Sequence, residues 1–457
     1  MTNVRERPCS DSEQRGVQIV GLGYVGLPLA VLFVEQGFSV TGVDVDASKI
    51  SSLIEGKSYV KDLTDDDLNA VLATGRFRAT ADYSDTSESE AIILCVPTPL
   101  SDRLTPDMSY LRAAVAETGK RLRPGQLIVL ESSTYPGTTA EEMVPILERE
   151  SGLRAGYDFH VGYSPERIDP GNQTFKVRDI PKVVSGLTPA CLGKTEALYA
   201  QVFGQIVKVS SPEVAEMTKL LENAYRLINI SFMNEMAMLC DAMGIDLWEA
   251  IEAAKTKSFG YAAFYPGPGA GGHCIPVDPL YLQWRARGFG VKSGFIELSE
   301  KLNHAMVDYL LDKIYDRAGE QPSLVVVYGV AYKKDVGDVR ESSAIRLIER
   351  LLDQGVRIAY HDPHVPAIRI RERRLDSSEL SDQLLREADC VIVMADHTGM
   401  PIERIAAISR CVIDTRNATA GMEDAHIYRV GGGNMGLGRK NPLQVKADKR
   451  TGKPEFQ

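Results

Sequence analysis

The sequence predicts an α/β protein in which two doubly wound domains are joined by a central domain built on long helices. Three observations predict this architecture. β-rich runs alternate with helical segments from residue 17 onward, the alternation stops at a helical stretch from Pro212 to Gly244, and it resumes near Ser323. Strands that alternate with helices favour parallel sheets. At 457 residues the chain is also too long for one hydrophobic core.

The first α/β domain is predicted from its opening segments. Val17–Val20 is a short β-rich run that leads into Gly21-Leu-Gly-Tyr-Val-Gly26. A helix from Leu27 to Gln36 follows, and the next strand, Phe38–Asp44, ends in an acid. A strand, a glycine turn, a helix and a second strand ending in an acid are typical of a Rossmann-like βαβ unit. Two further buried strands are predicted at 91–96 and 126–131.

The glycine turn predicts a site for a dinucleotide. Gly21 permits the tight turn, Gly23 lets the backbone approach a pyrophosphate, and Gly26 lets the helix pack on the strand. Asp44 can accept hydrogen bonds from both ribose hydroxyls, which favours NAD over NADP. Lys49, the nearest cation that could hold a 2′-phosphate, lies past the end of the strand. The alternative is a glycine turn that holds no ligand.

The central helix has clear end signals. Ser210 or Ser211 can cap it, Pro212 suits its first turn, and Gly244 can end it. Apolar residues recur along it at spacings of three and four. A helix of this length in an enzyme commonly forms a central spine and often an oligomer interface, so the helix is expected to contribute to self-association.

Lys219 and Asn223 stand four residues apart on this helix and therefore share one face. A lysine beside a reacting C–OH group can stabilise a developing alkoxide, and an asparagine adds a neutral donor. The alternative is a solvated lysine beside a surface asparagine. The local pattern leaves both interpretations open.

The second α/β domain follows a helical stretch at 296–315. Its predicted strands are 323–331, 356–360, 390–394 and 411–414, with a helix at 341–354. It contains no GxGxxG pattern. The predicted divisions are a disordered N-terminus 1–16, a dinucleotide domain 17–209, a central helical domain 210–318, a second α/β domain 319–435 and a flexible tail 436–457.

Cys274 lies in a run that predicts chemistry, Tyr265-Pro-Gly-Pro-Gly-Ala-Gly-Gly-His-Cys-Ile-Pro-Val-Asp-Pro279. The glycines indicate tight backbone that another group can approach closely. Asp278 follows the cysteine by one helical turn. A nicotinamide site together with an accessible thiol predicts an oxidation through a covalent thio-intermediate. The alternative, a small buried cysteine, is typical of cores and not of glycine-rich loops.

Three other loops carry candidate residues. Glu166 and Arg167 are adjacent in a turn-rich loop. Glu166 is either a catalytic carboxylate or one half of an ordinary surface ion pair with Arg167. The segment 131–136 follows a predicted strand, where hydroxyl groups often face ligands. Lys333 and Arg340 lie between a strand end and a helix start, a place that suits an anion. The alternative for each of these three segments is a loop with a purely structural role.

Composition excludes several classes of function. A net charge of −10 argues against a nucleic-acid-binding surface. Seven single cysteines without a CxxC or CxxH pair indicate neither a metal site nor a disulfide framework, and they fit the cytoplasm. No signal peptide and no run of 18 apolar residues is present, so no membrane association is expected.

These motifs resemble the UDP-glucose/GDP-mannose dehydrogenase family from Val17 to about residue 435. The matching runs are Gly21-Leu-Gly-Tyr-Val-Gly26, Cys95-Val-Pro-Thr-Pro99, Glu131-Ser-Ser-Thr-Tyr-Pro-Gly137, Ser164-Pro-Glu-Arg167, Ala215-Glu-Met-Thr-Lys-Leu220 with Asn223, Gly271-Gly-His-Cys-Ile-Pro-Val-Asp278, Ala331-Tyr-Lys-Lys-Asp335 and Asp414-Thr-Arg-Asn417. The resemblance implies a homodimer or higher homo-oligomer that oxidises C6 of a nucleotide-linked hexose to a carboxylate with two NAD and one water, a step of polysaccharide biosynthesis.

The resemblance also implies roles for residues. Cys274 is the implied nucleophile, Lys219 and Asn223 stabilise the oxyanion, and Asp278 and Glu166 act with Thr134 on water and protons. The implied cofactor contacts are Gly21, Gly23, Tyr24, Val25, Gly26, Asp44, Thr98, Thr134 and Arg340. The implied substrate contacts are Glu166, Arg167, Lys219, Asn223, Gly271 and Lys333. No resident metal is implied.

The run around Cys274 indicates the substrate branch. Relatives that act on UDP-glucose carry a Gly-Gly-Ser-Cys-Phe-Pro-Lys-Asp type of run, whereas His273 and Ile275 here resemble the UDP-N-acetylhexosamine branch. Pro276 favours UDP-N-acetylglucosamine over UDP-N-acetylmannosamine. UDP-glucose and GDP-mannose are further alternatives. Two other interpretations are a one-step hydroxyacid dehydrogenase, which would not use Cys274, and a non-catalytic protein that binds sugar nucleotides.

Overall fold

The computed structural model describes residues 16–60, 63–101, 104–167, 177–319, 321–422 and 424–433. The predicted N-terminal segment, apart from Gly16, and the predicted tail lie outside these residues. Two compact units are present. The first holds the described residues up to Glu222 with Leu280–Val291, and the second holds Asn223–Pro279 with the described residues from Lys292 on. The predicted domain divisions at residues 210 and 319 stay predictions.

The first unit is built on one sheet of eight strands. Its strands are β1 (Gly16–Val20), β2 (Ser39–Val43), β3 (Phe77–Thr80), β4 (Ala91–Leu94), β5 (Leu127–Leu130), β6 (His160–Tyr163), β7 (Lys182–Gly186) and β8 (Ile206–Lys208). The strand order is β3-β2-β1-β4-β5-β6-β7-β8. Strands β1 to β6 are mutually parallel, and β7 is antiparallel to β6. This is the predicted doubly wound sheet, with its change of direction between β1 and β4.

Among the described residues, six α-helices lie wholly within the first unit. They are α1 (Gly26–Glu35), α2 (Ala47–Ile54), α3 (Asp65–Ala73), α4 (Ser109–Gly119), α5 (Val144–Ser151) and α6 (Pro189–Tyr199). Strands β4 and β5 are buried along their whole length, because strands of a parallel sheet are covered on both faces. In open parallel sheets, ligands bind outside the carboxyl ends of the strands, where the strand order changes direction. The turn after β1 therefore lies at the expected ligand position.

Helix α7 (Pro212–Met243) has the predicted limits. The Ser211 hydroxyl accepts a hydrogen bond from the Val214 N–H at 3.4 Å. Gly244 has a φ of +71°, and the Ile245 N–H donates to the Cys240 carbonyl at 2.9 Å. This pattern satisfies a terminal carbonyl in a left-handed C-cap. The predicted cap and stop of the helix are thus both confirmed.

The two faces of α7 have unusual polarity. The buried polar residues are Glu216, Lys219, Asn223, Ser231, Asn234 and Asp241, which lie among buried apolar residues such as Leu220 and Leu227; the exposed large apolar residues are Val214, Leu221, Tyr225, Phe232, Leu239 and Met243. An ordinary amphipathic helix buries its apolar stripe and exposes its polar one. Here a polar stripe is buried, which is costly unless each group has a partner, and an apolar stripe is exposed.

The second unit contains a five-stranded parallel sheet and a two-stranded hairpin. The sheet strands are β9 (Leu324–Tyr328), β10 (Arg357–His361), β13 (Cys390–Val393), β14 (Val412–Asp414) and β15 (Ile427–Arg429); the hairpin strands are β11 (Ala367–Ile370) and β12 (Arg373–Asp376). The sheet order is β10-β9-β13-β14-β15, so the order changes direction between β9 and β13. This confirms the predicted second doubly wound sheet.

The remaining helices surround the second sheet or link the two units along the chain. They are α8 (Leu247–Lys255), α9 (Asp278–Gly288), α10 (Gly294–Ala318), α11 (Ser343–Asp353), α12 (Asp382–Glu387) and α13 (Ile402–Ile408). Within the described part of the chain, none of the helices has the length and apolar character that a membrane span requires.

Several predicted elements are one to four residues shorter in the structure, and two of them show the reason clearly. The strand predicted at 323–331 ends at Tyr328, because Gly329 turns the chain with a φ of +78°. The helix predicted at 341–354 begins at Ser343, since Glu341 has a φ of +51° and the Ser342 hydroxyl caps the helix by accepting from the Ala344 N–H at 3.2 Å. Both differences arise from turn geometry at one residue.

Candidate active site

The glycine turn after β1 fits a dinucleotide. Gly21 has a φ of +94°, and a Cβ there would lie 2.6 Å from the Cys95 carbonyl oxygen; a Cβ at Gly26 would lie 1.8 Å from the Gly21 carbonyl oxygen. A Cβ at Gly23 would meet no heavy atom within 4 Å. The chain itself therefore requires glycine at Gly21 and Gly26, and open space lies above Gly23. Tyr24 and Val25 complete the turn before α1. This cradle suits a pyrophosphate.

Asp44 follows β2 and is buried. Its carboxylate accepts hydrogen bonds from the Leu22 N–H at 2.9 Å and from the Asp46 N–H at 3.0 Å. The Lys49 ammonium also donates to it at 2.9 Å. Lys49 lies past the end of β2, as the sequence indicates, but its place in α2 brings the ammonium to the Asp44 carboxylate. The NAD preference expected from Asp44 thus depends on a carboxylate that already has a cationic partner.

We expect the Asp44→Ala variant to lose discrimination between NAD and NADP. The wild-type carboxylate repels a 2′-phosphate, whereas in the variant the Lys49 ammonium is released to attract it. The ratio of kcat/KM for NAD to kcat/KM for NADP should fall by about 10-fold or more, the effect of one charge-assisted hydrogen bond. Asp44→Ala/Lys49→Ala is the matched control and should not gain NADP activity. An unchanged ratio in Asp44→Ala would refute the role of Asp44.

Two buried threonines follow the carboxyl ends of β4 and β5. Thr98 donates from its hydroxyl to the Ser133 carbonyl at 2.6 Å. Thr134 is 1% exposed, and its hydroxyl has no hydrogen-bond partner among the described residues. An unsatisfied buried hydroxyl costs about 1–3 kcal/mol, so a group that receives this bond would be stabilised. Thr134 therefore fits a ligand-facing position, whereas the Thr98 hydroxyl is already used.

Lys219 and Glu166 form a buried pair in the first unit. Lys219 is 5% exposed, and its ammonium donates to the Glu166 backbone carbonyl at 2.6 Å and lies 3.7 Å from the Glu166 carboxylate. The alternative of a solvated Lys219 is therefore wrong. Burial raises the pKa of the Glu166 carboxyl, while the positive charges of Lys219 and Lys182 oppose that rise. A buried carboxyl with a raised pKa is suited to moving protons.

Arg167 is held by other groups in the first unit. Its guanidinium lies 2.7 Å from the Glu222 carboxylate, and it donates to the Pro181 carbonyl at 2.8 Å. The ion pair that the sequence offered for Arg167 is present, but with Glu222 and not with the neighbouring Glu166. A contact of Arg167 with substrate stays a prediction.

Glu216 is a buried carboxylate that the sequence analysis did not single out. Its carboxylate accepts hydrogen bonds from the Gly137 N–H at 2.6 Å, the Thr139 N–H at 2.8 Å and the Thr139 hydroxyl at 2.7 Å. Burial raises its pKa to about 7 despite these donors. Glu216 thus anchors the loop that carries Thr134. The spacing of Glu216, Lys219 and Asn223 on one helix face was the available signal.

The Cys274 loop shapes the start of α9 in the second unit. The Cys274 carbonyl accepts hydrogen bonds from the Val277 N–H at 3.2 Å and the Asp278 N–H at 2.9 Å. Cys274 is partly exposed, whereas Asp278 is fully buried. The Asn223 side-chain amide donates to the Asp278 carboxylate at 2.6 Å. Asn223 is therefore no surface asparagine, and the structure brings it to the acid that follows Cys274.

The glycines around Cys274 accommodate another segment of the same unit. A Cβ at Gly271 would lie 2.7 Å from the Tyr332 Cβ and 2.9 Å from the Glu341 carbonyl oxygen, and a Cβ at Gly272 would lie 2.8 Å from the Tyr332 ring. The Gly272 N–H donates to the Arg340 carbonyl at 2.9 Å. The close approach that the sequence predicted at these glycines is made by the 332–343 segment, and access of a ligand to the Cys274 turn stays a prediction. Substrate contact at Gly271 stays a prediction.

The 332–343 segment itself carries two predicted binding residues. Lys333 is partly buried and follows β9, at the point where the second sheet changes direction between β9 and β13. That position favours a ligand. Arg340 is exposed, and its guanidinium lies 2.6 Å from the Asp338 carboxylate. Lys333 is thus placed where a nucleotide is expected, whereas Arg340 is engaged with a neighbouring acid.

A buried histidine network lies beside this segment. The His397 Nδ1 accepts from the Asp335 N–H at 2.9 Å, and its Nε2 lies 3.2 Å from the Asp362 carboxylate. Donor atoms of Asp335, His364 and His397 lie within 4.8 Å of one another. The Asp335 carboxylate, however, accepts from the Thr398 N–H and hydroxyl at 2.7 and 2.6 Å. The network therefore links the loop that carries Asp335 to the loop that carries His397 and Thr398.

Comparisons with known proteins match this architecture part by part. Models of the UDP-glucose/GDP-mannose dehydrogenase family match its NAD binding domain at residues 15–203, its central domain at 213–305 and its UDP binding domain at 326–421. The NAD cofactor that the turn after β1 predicts is confirmed by these matches.

Individual relatives extend over most of the chain. A UDP-N-acetyl-D-glucosamine 6-dehydrogenase from Pseudomonas aeruginosa is 35% identical over 357 residues, 77% of this chain and 83% of its own. A UDP-N-acetyl-D-mannosamine dehydrogenase from Pyrococcus horikoshii is 31% identical over 434 residues, 93% of this chain and 99% of its own. The solved structure of a UDP-D-ManNAc dehydrogenase from Pyrococcus horikoshii covers 92% of this chain and 100% of its own, with 31% identity and a TM-score of 0.82. The chain therefore belongs to the UDP-glucose/GDP-mannose dehydrogenase family.

Proposed function

We propose that this enzyme oxidises C6 of a UDP-N-acetylhexosamine, with UDP-N-acetylglucosamine favoured, to the uronic acid in two NAD-dependent steps. The observation that carries the proposal is the Cys274 turn. A partly exposed cysteine opens a turn that ends at the buried acid Asp278, whose carboxylate accepts a hydrogen bond from Asn223 at 2.6 Å. An accessible thiol next to a positioned carboxylate suits covalent catalysis with proton transfer.

The proposed reaction has four chemical stages. The C6 hydroxyl loses a proton and a hydride to become an aldehyde. The Cys274 thiolate adds to C6 and forms a thiohemiacetal, and loss of a second hydride gives a thioester. Water then adds to C6, and the thiolate leaves as the carboxylate forms. Bound NAD supplies the hydride acceptor for each oxidation. The covalent link keeps the aldehyde from escaping.

The proposed roles of the other residues follow from their chemistry. The Lys219 ammonium is a fixed buried cation that stabilises an oxyanion, because positive charge acts strongly in a site that excludes water. Glu166, whose pKa burial raises, accepts and returns protons. Asp278 and Thr134 orient the attacking water. Asn223 contributes by fixing the Asp278 carboxylate.

The substrate assignment is supported by two features. Lys333 lies at the expected ligand position of the second sheet, where it can pair with a diphosphate. The run His273-Cys274-Ile275-Pro276 resembles the UDP-N-acetylhexosamine branch. UDP-N-acetylmannosamine is the second candidate, because dehydrogenases named for either epimer are similarly related to this chain.

A panel of UDP-N-acetylglucosamine, UDP-N-acetylmannosamine, UDP-glucose and GDP-mannose tests the assignment, with NADH formation as the measurement. We expect the highest kcat/KM with UDP-N-acetylglucosamine. A higher kcat/KM with UDP-N-acetylmannosamine would reverse the choice of epimer. Oxidation of a simple 2-hydroxy acid would favour the one-step alternative, and binding of sugar nucleotides without NADH formation would favour the non-catalytic alternative.

We also propose that the exposed apolar stripe of α7 is the contact with a second copy of this chain. Leu221 and Phe232 are 59% and 47% exposed, and contiguous apolar residues on a long helix are typical of homodimer interfaces. A charge at these positions should therefore separate the copies. Light scattering after size exclusion should give the mass of a monomer for Leu221→Glu/Phe232→Glu. Tyr157→Glu, at an exposed aromatic residue that is not part of α7, is the control and should keep the oligomeric mass. A dimeric double variant would contradict this interface.

A further inference from the structure

Lys182 is a buried lysine that the proposed reaction leaves without a role. It begins β7 and is 5% exposed. Its ammonium donates to the Glu131 carboxylate at 2.9 Å and to the Pro165 carbonyl at 3.4 Å. The rings of Tyr199 and Phe203 each lie 5.1 Å from the ammonium. Glu131 also accepts a hydrogen bond from the Tyr199 hydroxyl. The ammonium is thus held from several sides.

A buried ion pair such as Lys182–Glu131 is an energetically unfavourable way to fill a core. Removing two charges from water costs several kcal/mol for each ion, and apolar side chains of similar volume often stabilise a fold equally well. Glu131 is 2% exposed and follows β5, in the segment that the sequence analysis expected to face a ligand. The expectation concerned hydroxyl groups of this segment; the Glu131 carboxylate is bonded to Lys182 and Tyr199. The pair therefore calls for an explanation other than stability.

The hydrogen bond from Lys182 to the Pro165 carbonyl supplies such an explanation. Pro165 immediately precedes Glu166, and two buried lysines hold the two successive carbonyls of this segment. Lys182 donates to the Pro165 carbonyl at 3.4 Å, and Lys219 donates to the Glu166 carbonyl at 2.6 Å. The backbone on both sides of the Glu166 Cα is consequently fixed by side chains from two different elements, β7 and α7.

Both positive and negative side chains surround Glu166. Lys219 comes from α7, Lys182 from β7 and Glu131 from the end of β5; these three act electrostatically on Glu166. Cys95, which follows β4, also faces this group and has a raised pKa because it is buried near Glu131. The adjacent Arg167 is paired with Glu222, and the Tyr199 hydroxyl of α6 is bonded to Glu131. Lys182 opposes the effect of burial on the pKa of Glu166, and Glu131 reinforces it.

We propose that Lys182 and Glu131 form a positioning pair for Glu166, in which the Lys182 ammonium fixes the preceding carbonyl and supplies a positive charge behind the Glu166 carboxylate, while Glu131 sets how much of that charge Glu166 experiences. The inference rests on the proposed function, in which Glu166 accepts a proton. Neither residue of the pair needs to touch substrate. The pair acts through the place and the protonation of Glu166.

The pH dependence of kcat tests this pair. If Glu166 must be ionised, kcat rises with pH through the Glu166 pKa. Removing the Lys182 charge raises that pKa, so the ascending limb of Lys182→Met should move to higher pH. Removing the Glu131 charge lowers it, so the limb of Glu131→Gln should move to lower pH, each by about one unit or less for a single nearby charge. Lys182→Arg keeps the charge and should restore the wild-type limb.

Opposite pH shifts in Lys182→Met and Glu131→Gln distinguish a positioning role from structural damage. Loss of the fold would lower kcat in both variants, but it would not move the ascending limbs of their pH profiles in opposite directions. If Lys182→Met does not fold, the isosteric Glu131→Gln variant decides, and an unmoved limb there overturns the inference. The Glu166→Gln variant distinguishes failure of the proposed role of Glu166 from failure of the proposed role of the Lys182–Glu131 pair. A Glu166→Gln enzyme with the wild-type limb refutes the role of Glu166. Loss of activity in Glu166→Gln, combined with unmoved limbs in the pair variants, refutes only the role of Lys182 and Glu131.

Discussion

Replacing Cys274 with serine is expected to reduce formation of the UDP-linked uronate by about 10³-fold or more, in the range found when a catalytic nucleophile is removed. A serine hydroxyl is far less nucleophilic than a thiolate at neutral pH. The first oxidation needs no thiol, so a single hydride transfer should persist. Product analysis by mass spectrometry, together with NADH formation in a single turnover, measures both steps.

The structure offers a matched control for this variant. Cys240 is a partly exposed cysteine of the same unit, located on α7, and Cys240→Ser should form the uronate at the wild-type rate. Calorimetric binding of the UDP-sugar to Cys274→Ser should also be close to wild type, because the thiol acts on C6 and not on the nucleotide. Uronate production by Cys274→Ser at the wild-type rate would make Cys274 a packing residue.

Replacing Lys219 with methionine is expected to lower kcat by about 10²–10³-fold, the usual cost of losing one oxyanion-stabilising group. The methionine fills the buried space but removes the charge, and it also releases the Glu166 carbonyl that Lys219 holds at 2.6 Å. KM for the UDP-sugar should change much less than kcat, because the interaction strengthens as charge develops on the oxygen of C6.

An exposed lysine of the same unit provides the comparison. Lys208 is largely exposed and pairs with Glu196, so Lys208→Met should keep the wild-type kcat, since surface ion pairs contribute little. In the Lys219→Met variant, loss of the nearer positive charge should also move the ascending limb of kcat to higher pH. A kcat within a few-fold of wild type would show that Lys219 is a structural cation.

The elements that the sequence predicted well have strong local signals. The βαβ unit is marked by Gly21 and Gly26, whose Cβ positions the backbone forbids, and α7 is bounded by Ser211 and Gly244. Strands β3, β6 to β8 and β15 and the β11–β12 hairpin were missed, because strands of three to five residues show little alternation. Local patterns are most informative where one residue's conformation decides the structure.

The candidate site shows which residues the sequence could not identify. Cys274, Asp278 and Lys219 were identified from residue types and order, but Glu216, Lys182 and the approach of Lys49 to Asp44 were not. Each of these depends on contacts between residues far apart in the chain, such as the 79 positions that separate Gly137 from Glu216. The glycines near Cys274 were noted for the right property, close approach, but the sequence could not tell that Tyr332 is the group that approaches.

The stoichiometry of NADH to sugar tests the central claim most directly. A limiting, known amount of UDP-N-acetylglucosamine is converted to completion with excess NAD, and NADH is measured by absorbance while the sugar product is identified by mass spectrometry. The proposed mechanism predicts two NADH for each sugar and a uronic acid as the product. One NADH for each sugar, with a free aldehyde as the final product, would contradict oxidation through a thioester on Cys274.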